Sequence, residues 1–108
     1  MKIQFNTDTH IEGTEALADQ VNTVIEKALI RFEKHITRIE VHLSDENSDK
    51  KGQYDHRCML EARLEGRQPL GVTEEAATLE QAVHGAAQKL AHLLDSTLGR
   101  VHDIQKRH

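Results

Sequence analysis

The sequence predicts an α+β fold: a two-layer β-α-β-β-β-α sandwich in which a four-stranded, mostly antiparallel sheet carries two helices on one face. Three observations predict it. Two segments repeat apolar residues at three- and four-residue steps, three or four others alternate apolar with polar residues, and the segments follow one another in that order. The 108 residues fit one domain spanning 1–108. A chain of that size buries roughly 65% of its unfolded surface, enough for one modest core without metal or disulfide staples.

The first strand is read from Ile3 and Phe5, which alternate with Lys2 and Gln4. The first helix runs from Thr14 to about Lys34, with Leu17, Val21, Val24, Ile25, Ala28, Leu29 and Phe32 forming one apolar face. Thr14 suits its N-cap, and Glu15 in the first turn suits the helix dipole. A second strand places Ile39, Val41 and Leu43 against Glu40 and His42. A loop from Ser44 to Gly52, polar throughout, joins it to a third strand in which Cys58, Leu60, Ala62 and Leu64 alternate with Arg57, Met59, Glu61 and Arg63. Leu70 and Val72 mark a shorter fourth strand after Pro69. The second helix begins at Leu79 with Thr78 as its cap and continues through Ala82, Val83, Leu90, Leu94 and Leu98. Ala86 and Ala87 allow it close approach to the sheet, and Gly99 predicts fraying of the tail beyond about residue 100. One-sided alternation in the strands means one buried sheet face and one solvated face.

Composition narrows the function classes. A single cysteine excludes an internal disulfide framework and points to a reducing, cytoplasmic setting. No apolar run approaches the ~18–20 residues of a membrane span, and the start Met1-Lys2-Ile3-Gln4-Phe5 turns polar too soon for a signal peptide. The net charge of −4 speaks against coating nucleic acid by bulk charge. The eight histidines lack the two-to-five-residue spacing of metal ligands; His84 and His92 stand eight apart, about 12 Å along a helix. Cys58 shares its strand side with Leu60 and reads as a small core residue. No Gly-rich phosphate loop, nucleophile elbow or supported Cys–His pair is present. Glu40 and Glu61 read as cross-strand partners of Arg57 or Arg63 on a solvated face. The expectation is a protein without catalytic residues, metal, cofactor, membrane contact or small-molecule substrate.

Charge is unevenly distributed. Residues 76–108 carry four basic and three acidic groups, against ten and fifteen in the rest. At about 100° per residue, Lys27, Arg31 and Lys34 fall in one stripe beside the apolar face of the first helix. Lys89, Arg100 and Arg107 flank the second, with Lys106 nearby, and His84, Asp95 and His102 take its other flank. Such a basic edge lets a modestly acidic protein touch a phosphate backbone. The competing explanation is that long Lys and Arg stems cover the core edge of ordinary helices.

Several strings resemble a known family. Thr14-Glu15-Ala16-Leu17 opens the first helix, and Phe32 is followed by Ile36 and Arg38-Ile39 leading into an alternating strand. The last helix carries Leu79, Ala82-Val83, Gln88-Lys89-Leu90-Ala91 and Leu94. Together they resemble the short ribosome hibernation-promoting factor and RaiA-type ribosome-associated inhibitor family over nearly the whole chain. The resemblance implies a non-enzymatic bacterial factor that binds the small ribosomal subunit and its rRNA near the decoding centre, represses translation and stabilises idle ribosomes under stress. It also implies a sheet with two helices on one face, similar to a double-stranded-RNA-binding domain. Lys27 and Lys89 stand where the family pattern has Lys. Arg31, Lys34, Arg100, Lys106 and Arg107 come from the stripe reading alone.

The chain also departs from the family pattern. Ala18 and the Asp95–Gly99 stretch replace basic positions, His84 stands where the pattern has Asp, and His92 stands where a basic residue is common. The extra C-terminal domain of longer members is absent from these residues. The alternative function is a self-associating module that keeps the fold, has lost RNA binding and pairs as a homodimer through the sheet face around Met59. Protonation of His84, His92 and His102 near pH 6 is a further expected influence on binding.

Overall fold

The computed structural model describes residues 1–8, 11, 13–45 and 56–106, from 99 onward by backbone alone. The elements are β1 (Lys2–Thr7), α1 (Glu15–Leu29), β2 (Ile36–Asp45), β3 (His56–Leu64), β4 (Leu70–Ala76) and α2 (Leu79–Lys106), with a 3-10 segment at Ile30–His35. The sheet order is β1-β2-β3-β4. β1 pairs in parallel with β2, while β2/β3 and β3/β4 are antiparallel. A parallel neighbour cannot be reached by a hairpin, and α1 supplies the crossover. The predicted sandwich is therefore present, its mostly antiparallel sheet having one parallel pair.

One continuous core lies between the layers. Val21, Ile25 and Leu29 of α1, Phe32, the alternating residues of β2 and β3, and Ala82, Val83, Ala86, Ala87, Leu90, Leu94 and Leu98 of α2 are all buried. The alanines at 82, 86 and 87 are what let α2 lie close over β3 and β4. Both predicted caps form: Leu17 N–H and Gln81 N–H donate to the hydroxyl oxygens of Thr14 and Thr78, each at 3.1 Å.

Three boundaries differ from the sequence reading, each for a local reason. α1 ends at Leu29 and its last turn tightens to 3-10. In a 3-10 turn residues i and i+3 eclipse, so Leu29 and Phe32 both reach the core before the chain enters β2. β2 begins at Ile36, earlier than its alternation suggests, because the register slips between Ile36 and Arg38. This bulge leaves Thr37 extra, its hydroxyl donating to Arg63 O at 2.9 Å, and lets Ile36 and Ile39 both be buried despite their odd spacing. β2 also runs on through Ser44 and Asp45, which pair with Arg57 and His56, and Asp45 N–H donates to Asp8 Oδ2 at 3.1 Å. The rest of the expected loop, from 46, lies outside the described residues.

The two ends of the sandwich are distinct. β4 delivers the chain to α2 at the end where β2 finishes, and α2 returns along the sheet. Its 28 residues make a helix of about 42 Å, against about 33 Å for β2, so it overruns the end where β1 and β2 begin. The backbone stays helical through Gly99 to Lys106. The resulting body measures 57 × 26 × 21 Å.

Candidate nucleic-acid interface

The solvated sheet face is largely neutralised within itself. Strand register sets Arg38 opposite Arg63 and Glu40 opposite Glu61, like facing like. The attractive contacts therefore run diagonally and along strands. Arg63 Nε lies 2.8 Å from Glu40, its terminal nitrogen 3.1 Å from Glu61, and Arg38 reaches Glu40 at 3.3 Å. The Arg63 hydrogen bond, opposed by desolvation and aided by Arg38, holds the Glu40 carboxyl below the usual carboxylate range. Arg63 is correspondingly raised by Glu40. The expected cross-strand pair of Glu40 with Arg63 is thus formed, whereas Glu61 meets Arg63 along its own strand and Arg57 reaches Glu75 of β4 at 3.8 Å.

The helix layer is different. α1 and α2 leave a furrow between them, because small residues stand where the helices face each other. Its middle is a cleft of about 490 Å³ floored by Ala28, Ala87 and Ala91 and walled by Lys27, His84 and Gln88. It continues into a second cleft of about 440 Å³ bordered by Arg31, Gln88, His92 and Asp95. Toward the start of both helices it becomes apolar, lined by Leu17, Val21, Val24, Leu79 and Val83. The furrow therefore grades from a greasy end to one edged by cations and imidazoles.

The predicted basic residues separate into groups. Lys27 is exposed on the furrow wall. Arg31 borders its lower cleft, stacked over the Phe32 ring at 4.7 Å and 3.3 Å from Asp95. With side chains 62% and 55% exposed, that pair contributes about 0–1 kcal/mol, so it orients the guanidinium without withdrawing it from use. Lys34 is exposed in the 3-10 segment, where tighter winding displaces it from the stripe that a continued α-helix would give. Lys89 points elsewhere: its Nζ lies 2.7 Å from Glu74 and donates to Thr73 O at 2.9 Å, both on β4. It stands about 100° round α2 from Gln88, so Lys27 and Lys89 flank opposite sides of that helix. Arg100 and Lys106 lie on the last turns of α2, and Arg107 lies outside the described residues.

The Lys89 site explains two features the sequence left unread. β4 is longer than Leu70 and Val72 suggest, and its pleat turns Glu74 to the same side as the buried Ala76, toward α2. Gly85 makes room for it: a Cβ there would come within 2.7 Å of Glu74 Cγ and 2.8 Å of Cδ. The carboxylate lies over the bare backbone and Lys89, one turn on, closes it.

Among the described residues, Lys2, Lys27, Lys34 and Arg67 are exposed cations with no ion pair. Lys2 and Arg67 escaped the helix projection because neither lies on a helix. No three His, Cys, Asp or Glu side chains among the described residues gather to hold a metal ion. Cys58 is buried, and burial pushes its thiol up to about 12, far from a thiolate at neutral pH. No helix among the described residues is long and apolar enough to cross a membrane.

Comparison with known proteins agrees with the architecture. The N-terminal domain of Protein Y from Thermus thermophilus is similar with a TM-score of 0.71 at 24% identity, over 90% of this chain and 99% of that one. A ribosomal subunit interface protein from Coxiella burnetii gives 0.69 at 18% identity, over 92% and 99%. At these identities the likeness establishes a shared fold. No curated protein matches the chain. Residues 3–102, nearly the whole chain, match the family described as sigma 54 modulation protein / S30EA ribosomal protein. The chain belongs to that family, which is the hibernation-promoting factor family its helices resemble.

Proposed function

We propose that the protein is a non-enzymatic, cytoplasmic ribosome-binding factor that occupies the small subunit, contacts its rRNA and represses translation or promotes ribosome hibernation under stress. The observation that carries the reading is the open furrow between α1 and α2, edged by Lys27, Arg31, His84 and His92, in a chain of this family. The furrow's unpaired Lys27 and weakly paired Arg31 suit phosphate contacts, whereas the arginines on the sheet face already hold carboxylates. Each phosphate contact adds roughly 0.9 to the salt slope of binding. A net charge of −4, with few uncommitted cations among the described residues, predicts association that is sensitive to moderate salt.

Sedimentation of a stationary-phase extract through a sucrose gradient, probed for this protein, tests the reading. The expected result is co-migration with small subunits or idle ribosomes at low salt and release as salt rises. Recovery only at the top of the gradient at every salt concentration, with light scattering showing a stable dimer, would replace it with the self-associating alternative.

A further inference from the structure

The uncommitted cations are not scattered. Parallel pairing of β1 with β2 and antiparallel pairing with β3 set Lys2, Arg38 and Arg63 in a single rung across the sheet. That rung spans roughly 10 Å at the usual strand spacing. It lies at the end of the molecule where β1 and β2 begin. Lys34 is two residues ahead of β2, and Arg67 sits in the turn that leaves β3. The two segments are tied together by Glu65 N–H donating to His35 O at 3.4 Å. Lys27 occupies the last turn of α1, which descends to the same end. All four described cations without an ion pair thus belong to one end. Among the described residues, Glu26 beside Lys27, Glu33 and Glu65 stand there as further exposed carboxylates without an ion pair, Asp95 being paired with Arg31 and Glu40 and Glu61 being held by Arg38 and Arg63. The opposite end carries Asp8, Glu15, Asp19, Asp45 and Glu80 at the strand ends and helix starts.

We propose that this end of the molecule, with Lys2, Lys34 and Arg67 on three separate elements around the Arg38–Arg63 rung, contacts RNA phosphates and sets the protein's orientation, the acidic end facing away. The inference rests on the ribosome-binding reading and adds to the furrow a second contact made by loops and strand ends. Its physical basis is charge complementarity. A polyanion at this end attracts the unpaired cations, while the carboxylates of the other end lie tens of ångströms away along the 57 Å axis, several Debye lengths at physiological salt, where their repulsion is screened. The net charge then misleads, because the end that counts is cationic. α2 overruns this same end, where the furrow on the helix face and the rung on the opposite, solvated sheet face both terminate.

The test compares two triple variants of the full chain, each checked for unchanged circular dichroism. Lys2→Gln/Lys34→Gln/Arg67→Gln removes the cationic end, and Glu15→Gln/Asp19→Asn/Glu80→Gln neutralises three carboxylates at the other. The salt slope of binding is measured for purified small subunits and, separately, for a fluorescein-labelled RNA hairpin duplex. The cationic-end variant is expected to lower the slope by about 2–3 on both probes, and the acidic-end variant to leave it within about half a unit. An unchanged slope in the first variant, or an equal change in the second, overturns the assignment. If the unmodified protein ignores ribosomes yet binds the hairpin, the functional reading fails. The hairpin slopes then decide the end assignment alone. Binding to neither probe overturns both.

Discussion

Gly85 makes the sharpest stability prediction. An added Cβ would press on the Cγ and Cδ of Glu74 at 2.7 and 2.8 Å, well inside contact distance. Two effects oppose each other in Gly85→Ala. Replacing glycine inside α2 stabilises the helix by about 0.8–1 kcal/mol. Displacing Glu74 breaks its pair with Lys89, and with side chains 30% and 53% exposed that loss lies in the range of about 0–1 kcal/mol. Gly85→Ala alone should therefore change stability little. In a Glu74→Ala background the obstacle is gone and the full helix gain of about 1 kcal/mol should appear. The double-mutant cycle thus predicts a coupling of up to about 1 kcal/mol between positions 74 and 85, read from urea denaturation of the four proteins. Equal stabilisation of about 1 kcal/mol by Gly85→Ala in both backgrounds would refute the packing of Glu74 on Gly85.

Further expectations follow from the core and the titrating groups. Leu94→Ala, fully buried under the middle of α2, should destabilise by about 2–5 kcal/mol in urea melts, while the 3-10 residue Lys34→Ala should stay within about 0.5 kcal/mol. Glu40 has a depressed folded pKa, so its contribution is fully present above the ordinary carboxylate value and is lost as pH falls through the folded value. Urea midpoints measured from pH 6 down to 3 should therefore fall less steeply for Glu40→Gln than for the unmodified protein. An identical pH dependence would contradict the Arg38–Glu40–Arg63 contacts. Cys58, buried with its thiol at about 12, should resist a disulfide reagent at pH 8 until the protein is unfolded, and rapid labelling of the folded protein would show the thiol to be accessible.

Much of the fold could be read from periodicity, because a single buried sheet face imposes alternation and one apolar stripe imposes the helix pattern. The caps at Thr14 and Thr78 were legible for the same local reason. What escaped was set by tertiary geometry. The bulge at Thr37 breaks the parity between Ile36 and Ile39, so alternation alone starts β2 too late. Glu74 looks like the end of a strand until Gly85 is seen beneath it. Lys89 reads as part of an open basic flank of its helix because a helical projection shows angles and not neighbours. β4 lies beside it and supplies both a carboxylate and a carbonyl. Arg31 and Lys34 were projected as α-helical, whereas the chain there is 3-10. Lys2 and Arg67 join the same end only through strand register and a turn, neither of which leaves a periodic trace.

The furrow between the helices is the centre of the functional account, and equilibrium binding to purified small ribosomal subunits tests it most directly. Affinity measured at several salt concentrations for the unmodified protein and for Lys27→Glu/Arg31→Glu should give a linear fall of log K with log salt. The variant should bind at least tenfold more weakly, with a slope smaller by about 2. Unmodified protein that binds subunits with the same affinity and slope as the variant would contradict the account.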